Sequence, residues 1–187
     1  MQEHEPLALM GSTMTTTTRL EPRPLRLPPR WRKTVLILHI LSGVGWIGVD
    51  FALLPLAVTG LTTDSGQTAA ASYRAIALLV PWTIPVLSLL ILATGVTLGL
   101  GTRWGLLRHW WVATKLVISL LLTALVFIAL LPAVASLEVT SATTGDEVRA
   151  ALDDPAMFLY PPVVSCTLLV VSSILSVTKP WGRRGKA

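Results

Sequence analysis

Residues 34–56, TVLILHILSGVGWIGVDFALLPL, form the first long apolar stretch of the chain. A helix of about 20 residues crosses the hydrocarbon core of a bilayer, so this stretch is long enough to do so. Its only ionisable side chains are those of His39 and Asp50. Because an ionisable group is costly in lipid, both are expected to face other helices rather than the bilayer. The stretch therefore predicts a membrane-spanning helix with a polar face.

The composition of the whole chain agrees with this interpretation. Of its 187 residues, 52% are hydrophobic and only 13% are charged, whereas soluble domains average about 25% charged residues. Three more stretches are apolar and long enough to cross a bilayer, at residues 76–98, 111–131 and 157–177. We predict an all-α polytopic membrane protein whose residues 31–182 form a four-helix transmembrane bundle.

The distribution of charge predicts the orientation. Lys and Arg concentrate before the first span, between the second and third spans, and after the fourth. The segment 133–156 instead carries five acidic residues and one arginine. Since positive residues stay cytoplasmic, both termini are predicted inside and the acidic loop outside. The same distribution explains the net charge of +5 without nucleic acid as a partner, and it agrees with a multi-pass membrane protein; the bacterial cytoplasmic membrane is implied only by the family resemblance given below.

The ends of the chain are predicted to lie outside the bundle. Residues 1–30 contain a threonine tract and a Pro/Arg-rich segment, with too little apolar surface to fold alone, and are predicted to be a disordered cytoplasmic tail. Residues 183–187 form a second short cytoplasmic tail. The single cysteine, Cys166, excludes a disulfide within the chain and a multi-cysteine metal site, so we predict no metal centre.

The polar residues of the first span fall on one helical face. The eleven-residue step from His39 to Asp50 turns a helix through about 1,100°, only about 20° from whole turns. Trp46 lies on the same stripe. We therefore predict that all three point into the bundle. Gly45 and Gly48 lie on a neighbouring face, where they are expected to permit close helix contact.

The third span adds a lysine at a matching depth. His39 and Lys115 each lie about 6–8 Å from the cytoplasmic ends of their spans, so they can meet in one layer. Asp50 lies about 16 Å higher, nearer the outer leaflet. Lys115 has the alternative of snorkelling to the headgroups, and His39 that of a hydrogen-bonded packing residue. Asp50 has the alternative of a neutral acid bonded to a serine.

The fourth span carries a row of serines that includes Ser165 and Ser172. In a membrane helix such a row most simply holds helices together by hydrogen bonding and close packing.

Short motifs in these spans resemble known families. His39-x6-Trp46-x-Gly48, followed by Trp111-x3-Lys115, resembles small bacterial inner-membrane proteins of the CopD type and the HemJ-type protoporphyrinogen oxidases. The segments GTRWGLLRHWWVATK and SVTKPWG resemble an uncharacterised family of integral membrane proteins common in actinobacteria. The resemblance covers residues 31–182.

The HemJ-type resemblance implies haem b at His39 and Lys115. The chain departs from a bis-histidine haem site, because no second histidine lies in any span. The CopD-type resemblance implies copper, but Met157 and Cys166 are the only sulfur residues near the bilayer, so copper transport is not predicted.

The sequence is compatible with three functions. The first is an accessory or assembly component with a polar intramembrane core and no catalytic chemistry, which is favoured because no complete ligand set or substrate pocket can be recognised. The second is a haem-b-binding redox protein using His39 and Lys115. The third is a proton-coupled carrier using Asp50 and His39. The expected partners are the lipid bilayer and either a second copy or another membrane protein.

Overall fold

A computed structural model describes residues 28–101, 106, 109–139 and 142–178. These residues form helices and short connections, with no strand among them. The elements are α1 (Pro29–Thr62), α2 (Gly66–Gly101), α3 (Trp110–Leu125), a π-helical turn (Val126–Leu130), α4 (Leu131–Ala135), α5 (Gly145–Ala150), a 3-10 turn (Pro155–Phe158) and α6 (Tyr160–Thr178).

Four of the helical segments are long and apolar enough to cross a membrane, as predicted. They are Pro29–Thr62, Gly66–Gly101, Trp110–Ala135 and Pro155–Thr178, and are called the first to fourth spans below. Large apolar side chains on their outer faces are exposed, among them Leu78, Ile128 and Val177. Such a surface suits lipid rather than water. The all-helical bundle with four candidate membrane helices is thus confirmed.

The two ends of the bundle are named here by their arginines. The Arg32 end is where α1 and α3 begin and where α2 and α6 end. The Arg149 end is the opposite one, where α5 lies between the third and fourth spans. The predicted tails lie outside the described residues, except that residues 29 and 30 already belong to α1.

Close packing of α1 on α2 depends on a glycine near the Arg149 end. A β-carbon added at Gly60 would lie 2.8 Å from Cζ of Tyr73, which is fully buried. The Tyr73 ring in turn meets Phe158 edge-on, with ring centroids 6.0 Å apart. Gly60 therefore makes room for an aromatic pair that joins α1, α2 and the 3-10 turn.

Gly45 and Gly48, which were predicted at close helix contacts, are not tightly packed. A β-carbon at Gly48 would meet nothing within 4 Å, so the prediction of close contact there is wrong: Gly48 is exposed on the outside of the bundle. Gly45 has only ordinary contact with Leu87, at 3.4 Å. Gly95 on α2 is more tightly enclosed than either, since a β-carbon there would lie 3.2 Å from Cε1 of His39.

The acidic loop is tied to the turn between α1 and α2. Thr144 and Glu147 form a capping box that begins α5. The guanidinium of Arg149 donates to the carbonyl oxygens of Gly60 at 3.3 Å and Thr63 at 2.9 Å. It thereby satisfies carbonyls at the C-terminus of α1, where a positive charge is favourable. α5 ends at Ala150, and Pro155 begins a separate 3-10 turn.

The third span is irregular where it passes through the bundle. Residues Val126–Leu130 form a π-helical turn, directly before Pro132 in α4. Proline lacks an N–H, and its ring clashes with the carbonyl four residues earlier in a regular helix. A wider turn relieves that conflict, and such turns often lie at functional sites.

Candidate functional site

The larger of the two cavities described here lies toward the Arg32 end and contains both His39 and Lys115. Its volume is about 1010 Å³, and all four spans contribute to its wall. This cavity, called the His39 cavity below, brings together the two residues that the sequence placed at one depth. In the described part of the chain no hydrogen bond joins their side chains.

The His39 ring is oriented by a threonine on α2. Nδ1 of His39 lies 2.9 Å from Oγ1 of Thr94. The Thr94 hydroxyl has a single hydrogen, and it also lies 2.5 Å from the carbonyl oxygen of Leu90, to which it donates. This donation leaves Thr94 as the acceptor for His39, which favours the tautomer with the ring proton on Nδ1 and a lone pair on Nε2. This is the pattern by which proteins orient metal-binding histidines.

Lys115 is held by the fourth span. Its ammonium group donates to Oγ of Ser176 on α6, and its side chain is half-buried. The lysine therefore contributes a positive charge to the wall of the His39 cavity while linking the third span to the fourth.

The charged and titratable groups of this wall are all bases. Arg32, His39 and Lys115 line the cavity, and no aspartate or glutamate is found among the described residues of its wall. The remaining side chains are mainly aliphatic, for example Leu36 and Ile91. Such a lining combines attraction for an anion with an apolar surface.

A second, smaller cavity contains Asp50 and lies toward the Arg149 end. Its volume is about 230 Å³, and its wall again includes all four spans. Asp50 is only 1% exposed, and Trp46, one turn earlier on α1, is 2% exposed and lines the same cavity. This is called the Asp50 cavity below. His39 and Asp50 thus share a helix but belong to two different sites.

Asp50 also has a serine partner on α6. Oγ of Ser165 lies 2.8 Å from Oδ2 of Asp50 and 2.7 Å from the carbonyl oxygen of Pro161. A serine hydroxyl has only one hydrogen to donate. When Asp50 is neutral, its carboxyl donates to Ser165 and the Ser165 hydroxyl donates to Pro161. Each of the two contacts then has its own hydrogen.

Two other serines of α6 also turn inward, whereas Ser173 is exposed. Ser172 is buried, as Ser165 is, and Ser176 is half-buried. The predicted row of inward serines therefore exists. Ser165 and Ser176, however, bond the carboxyl of Asp50 and the ammonium of Lys115, so these two link the fourth span to ionisable groups.

Two features of the sites were missed by sequence reasoning. Thr94 is one of several hydroxyl residues in the second span, and nothing local indicates that it is the one that faces His39. The π-helical turn contributes Val126, Ala129 and Leu130 to the Asp50 cavity. Its signal is Pro132, which lies just past the predicted end of the third span.

Metal chemistry has little support from side-chain clustering. Among the residues that the structure describes, no three His, Cys, Asp or Glu side chains come close enough to hold a metal ion. Of the histidines that the structure describes, His39 is the one that lines a cavity, so it is the candidate for an axial ligand to a cofactor that brings its own metal.

Comparison with known proteins adds no relative: no protein-family model, curated protein or solved structure matches this chain. The function has to be argued from the two cavities.

Proposed function

We propose that this chain is an accessory or assembly protein of the bacterial cytoplasmic membrane, without catalytic chemistry, that holds an anionic amphipathic molecule in the His39 cavity. The observation that carries the proposal is the wall of that cavity. Within about 1010 Å³ it presents Arg32, His39 and Lys115, no acid among its described residues, and otherwise mainly apolar side chains.

The chemistry of such a wall selects an anion with an apolar body. Arg and Lys bind carboxylates and phosphates through charge-assisted hydrogen bonds. These bonds strengthen where water is scarce, because the local dielectric is low. The aliphatic remainder of the wall covers apolar surface of the same molecule. The volume lies at the upper end of the roughly 300–1,000 Å³ typical of small-molecule sites.

The orientation is part of the proposal. With both termini cytoplasmic, as the basic flanking segments indicate, the His39 cavity lies in the cytoplasmic half of the membrane. To test this, single cysteines are placed at Lys33 and at Thr143 in a Cys166→Ala background. A membrane-impermeant maleimide should label the Thr143 site in intact cells and the Lys33 site only after permeabilisation. The opposite labelling would overturn the orientation.

Binding is tested with two anionic amphiphiles, phosphatidylglycerol and haemin, by native mass spectrometry of the protein in a neutral detergent. Lys115→Gln should weaken binding about tenfold, the loss of roughly one charge-assisted hydrogen bond. Lys33→Gln is the matched control, since Lys33 carries the same charge but does not line the cavity. An equal loss in both variants would mean that net charge alone governs binding, and would refute the site.

Haem b is a second candidate for the occupant, favoured by the oriented lone pair on His39. His39 would bind the iron through Nε2, while Lys115 and Arg32 would pair with the propionates. The haem would supply one-electron redox chemistry. A Soret band lost in His39→Ala and kept in Lys33→Gln would support haem. A colourless, folded preparation from haem-replete cells would exclude haem.

A further inference from the structure

We propose that the Asp50 cavity is a second binding site, which takes a small lipophilic ammonium ion in exchange for the proton of Asp50. This site is separate from the His39 cavity, and it prefers a cation where the His39 cavity prefers an anion. It rests on the chemistry of its wall, on the partners of Asp50 and on the route by which a molecule enters.

The wall is suited to an organic cation. Among the described residues of its wall, Asp50 is the one acidic side chain, and none is a lysine, arginine or histidine. Three aromatic residues, Trp46, Phe158 and Tyr160, contribute to the wall, and the rest is almost entirely aliphatic. Aromatic faces attract ammonium ions, more strongly where water is excluded. The volume of about 230 Å³ limits the ligand to a small ion.

Among the residues that the structure describes, Asp50 has a hydrogen-bond partner but no cation to balance a charge. Ser165 bonds it, and the one ion pair found in the described residues joins Arg149 to Asp146. A carboxylate buried in a membrane helix without a counter-ion is costly. Asp50 is therefore satisfied either by a proton or by a bound cation, which makes the two compete.

The exchange balances in atoms and charge. The O–H bond of the Asp50 carboxyl breaks and its proton leaves to water, while the carboxylate that remains pairs with the incoming ammonium ion. Ser165 then turns its single hydrogen toward the carboxylate, at the observed 2.8 Å. One positive charge enters and one leaves, so the site stays neutral overall.

The cavity reaches the outside of the bundle between the third and fourth spans. Leu125, Tyr160 and Val164 contribute to its wall and are 44%, 60% and 45% exposed. Two small residues, Ala129 in the π-helical turn and Ala133 in α4, leave open space beside them. A lipophilic ion can thus enter from the apolar surface, where it has already partitioned.

Few other groups can compete with Asp50 in a pH titration. The facing residues of α2 are Ile76, Val80 and Ile84, and those of the third span are aliphatic. Among the lining residues, Tyr160 at the start of α6 is the only other titratable group. Beyond the wall lie Tyr73, packed on Phe158, and Arg149 and Asp154, both toward the Arg149 end. A pH dependence of binding therefore reports on Asp50.

The test is isothermal titration calorimetry of the full-length protein in a neutral detergent, with tetraethylammonium as the probe. We expect one ion bound per chain, with an affinity that rises about tenfold or more from roughly pH 5 to pH 8. Near the lower end of that range, titrations in buffers of different ionisation enthalpy should show about one proton released per ion. No binding at the upper end, or binding without the pH dependence, would overturn the proposal.

Asp50→Asn should abolish binding, because the amide keeps a hydrogen bond to Ser165 but carries no charge. Asp64→Asn, at an exposed acid in the α1–α2 turn, is the matched control and should leave binding unchanged. Ala129→Leu fills the cavity while keeping Asp50, so it should also prevent binding. This variant tests the site if Asp50→Asn fails to fold. Unaltered binding in either cavity variant would refute the site.

Discussion

Ser165 on the fourth span and Asp50 on the first are joined by a contact of 2.8 Å between Oγ and Oδ2, across 115 positions of sequence. Both side chains are buried, Asp50 to 1% and Ser165 to 6% exposure. The contact links α1 and α6, the first and the last helix of the membrane domain along the chain. It also fixes which face of α6 meets α1.

Replacing Ser165 by alanine should lower the stability of the bundle. The substitution leaves the Asp50 carboxyl with one partner fewer in an apolar cavity, at a cost of about 1–3 kcal/mol. The measurement is unfolding in a mixed detergent followed by circular dichroism. Ser172→Ala, on the same helix and also buried, has no contact with Asp50 and should cost less. A double-mutant cycle with Asp50→Asn should give a coupling of about 0.5–2 kcal/mol. A coupling near zero would contradict the contact.

Replacing Thr94 by valine should release the His39 ring. Valine has a similar shape but accepts no hydrogen bond, so the ring loses its contact with Thr94 and favours one tautomer less strongly. Nitrogen-15 NMR of protein labelled at histidine should show the Nδ1–H form in the native chain and a mixture in Thr94→Val. Thr94→Ser restores the hydroxyl and should keep the native signal. An unchanged spectrum in Thr94→Val would show that Thr94 does not orient the ring.

Replacing Arg149 by glutamine should loosen the Arg149 end. The side chain bonds the carbonyls of Gly60 and Thr63 at the end of α1, and its loss should cost about 1–2 kcal/mol. Hydrogen exchange of the amides around the α1–α2 turn should accelerate. Asp146→Asn removes only the 92% exposed partner of Arg149 and should change the exchange little. Equal effects in both variants would mean that the ion pair, and not the carbonyl bonds, holds this end.

Adding one methyl group should distinguish Gly60 from Gly48. Gly60→Ala puts a β-carbon 2.8 Å from the Tyr73 ring and should destabilise the bundle by about 1–3 kcal/mol. Gly48→Ala meets nothing within 4 Å and should be neutral or slightly stabilising, since alanine favours helix. Thermal unfolding of the two variants in one detergent compares them directly. A lower midpoint for Gly48→Ala than for Gly60→Ala would contradict the packing.

His39 and Lys115 show what residue spacing alone can predict. Counting residues from the ends of the spans placed the two at one depth, and in the structure they line one cavity. The same counting could not show that Thr94 and Ser176 are their hydrogen-bond partners. Depth along a helix follows from the rise per residue, whereas the choice of partner depends on how each helix is rotated against its neighbours.

The glycines show the same difference between what residue spacing predicts and what helix packing decides. Spacing alone made Gly45 and Gly48 equal candidates for a helix contact, but both have more room than Gly60 and Gly95, which lie against the rings of Tyr73 and His39. A glycine permits close contact only where a neighbour arrives, and the neighbour is set by the whole bundle.

By itself the sequence determined the number of membrane helices, their approximate limits and the inward face that carries His39, Trp46 and Asp50. These follow from apolar length, charge and helical periodicity, which are local properties. Only the tertiary structure decided that this face serves two cavities, one with a basic wall and one built around a single buried acid. That division arises because the walls come from four different helices, and the widened turn before Pro132 helps to shape the smaller cavity.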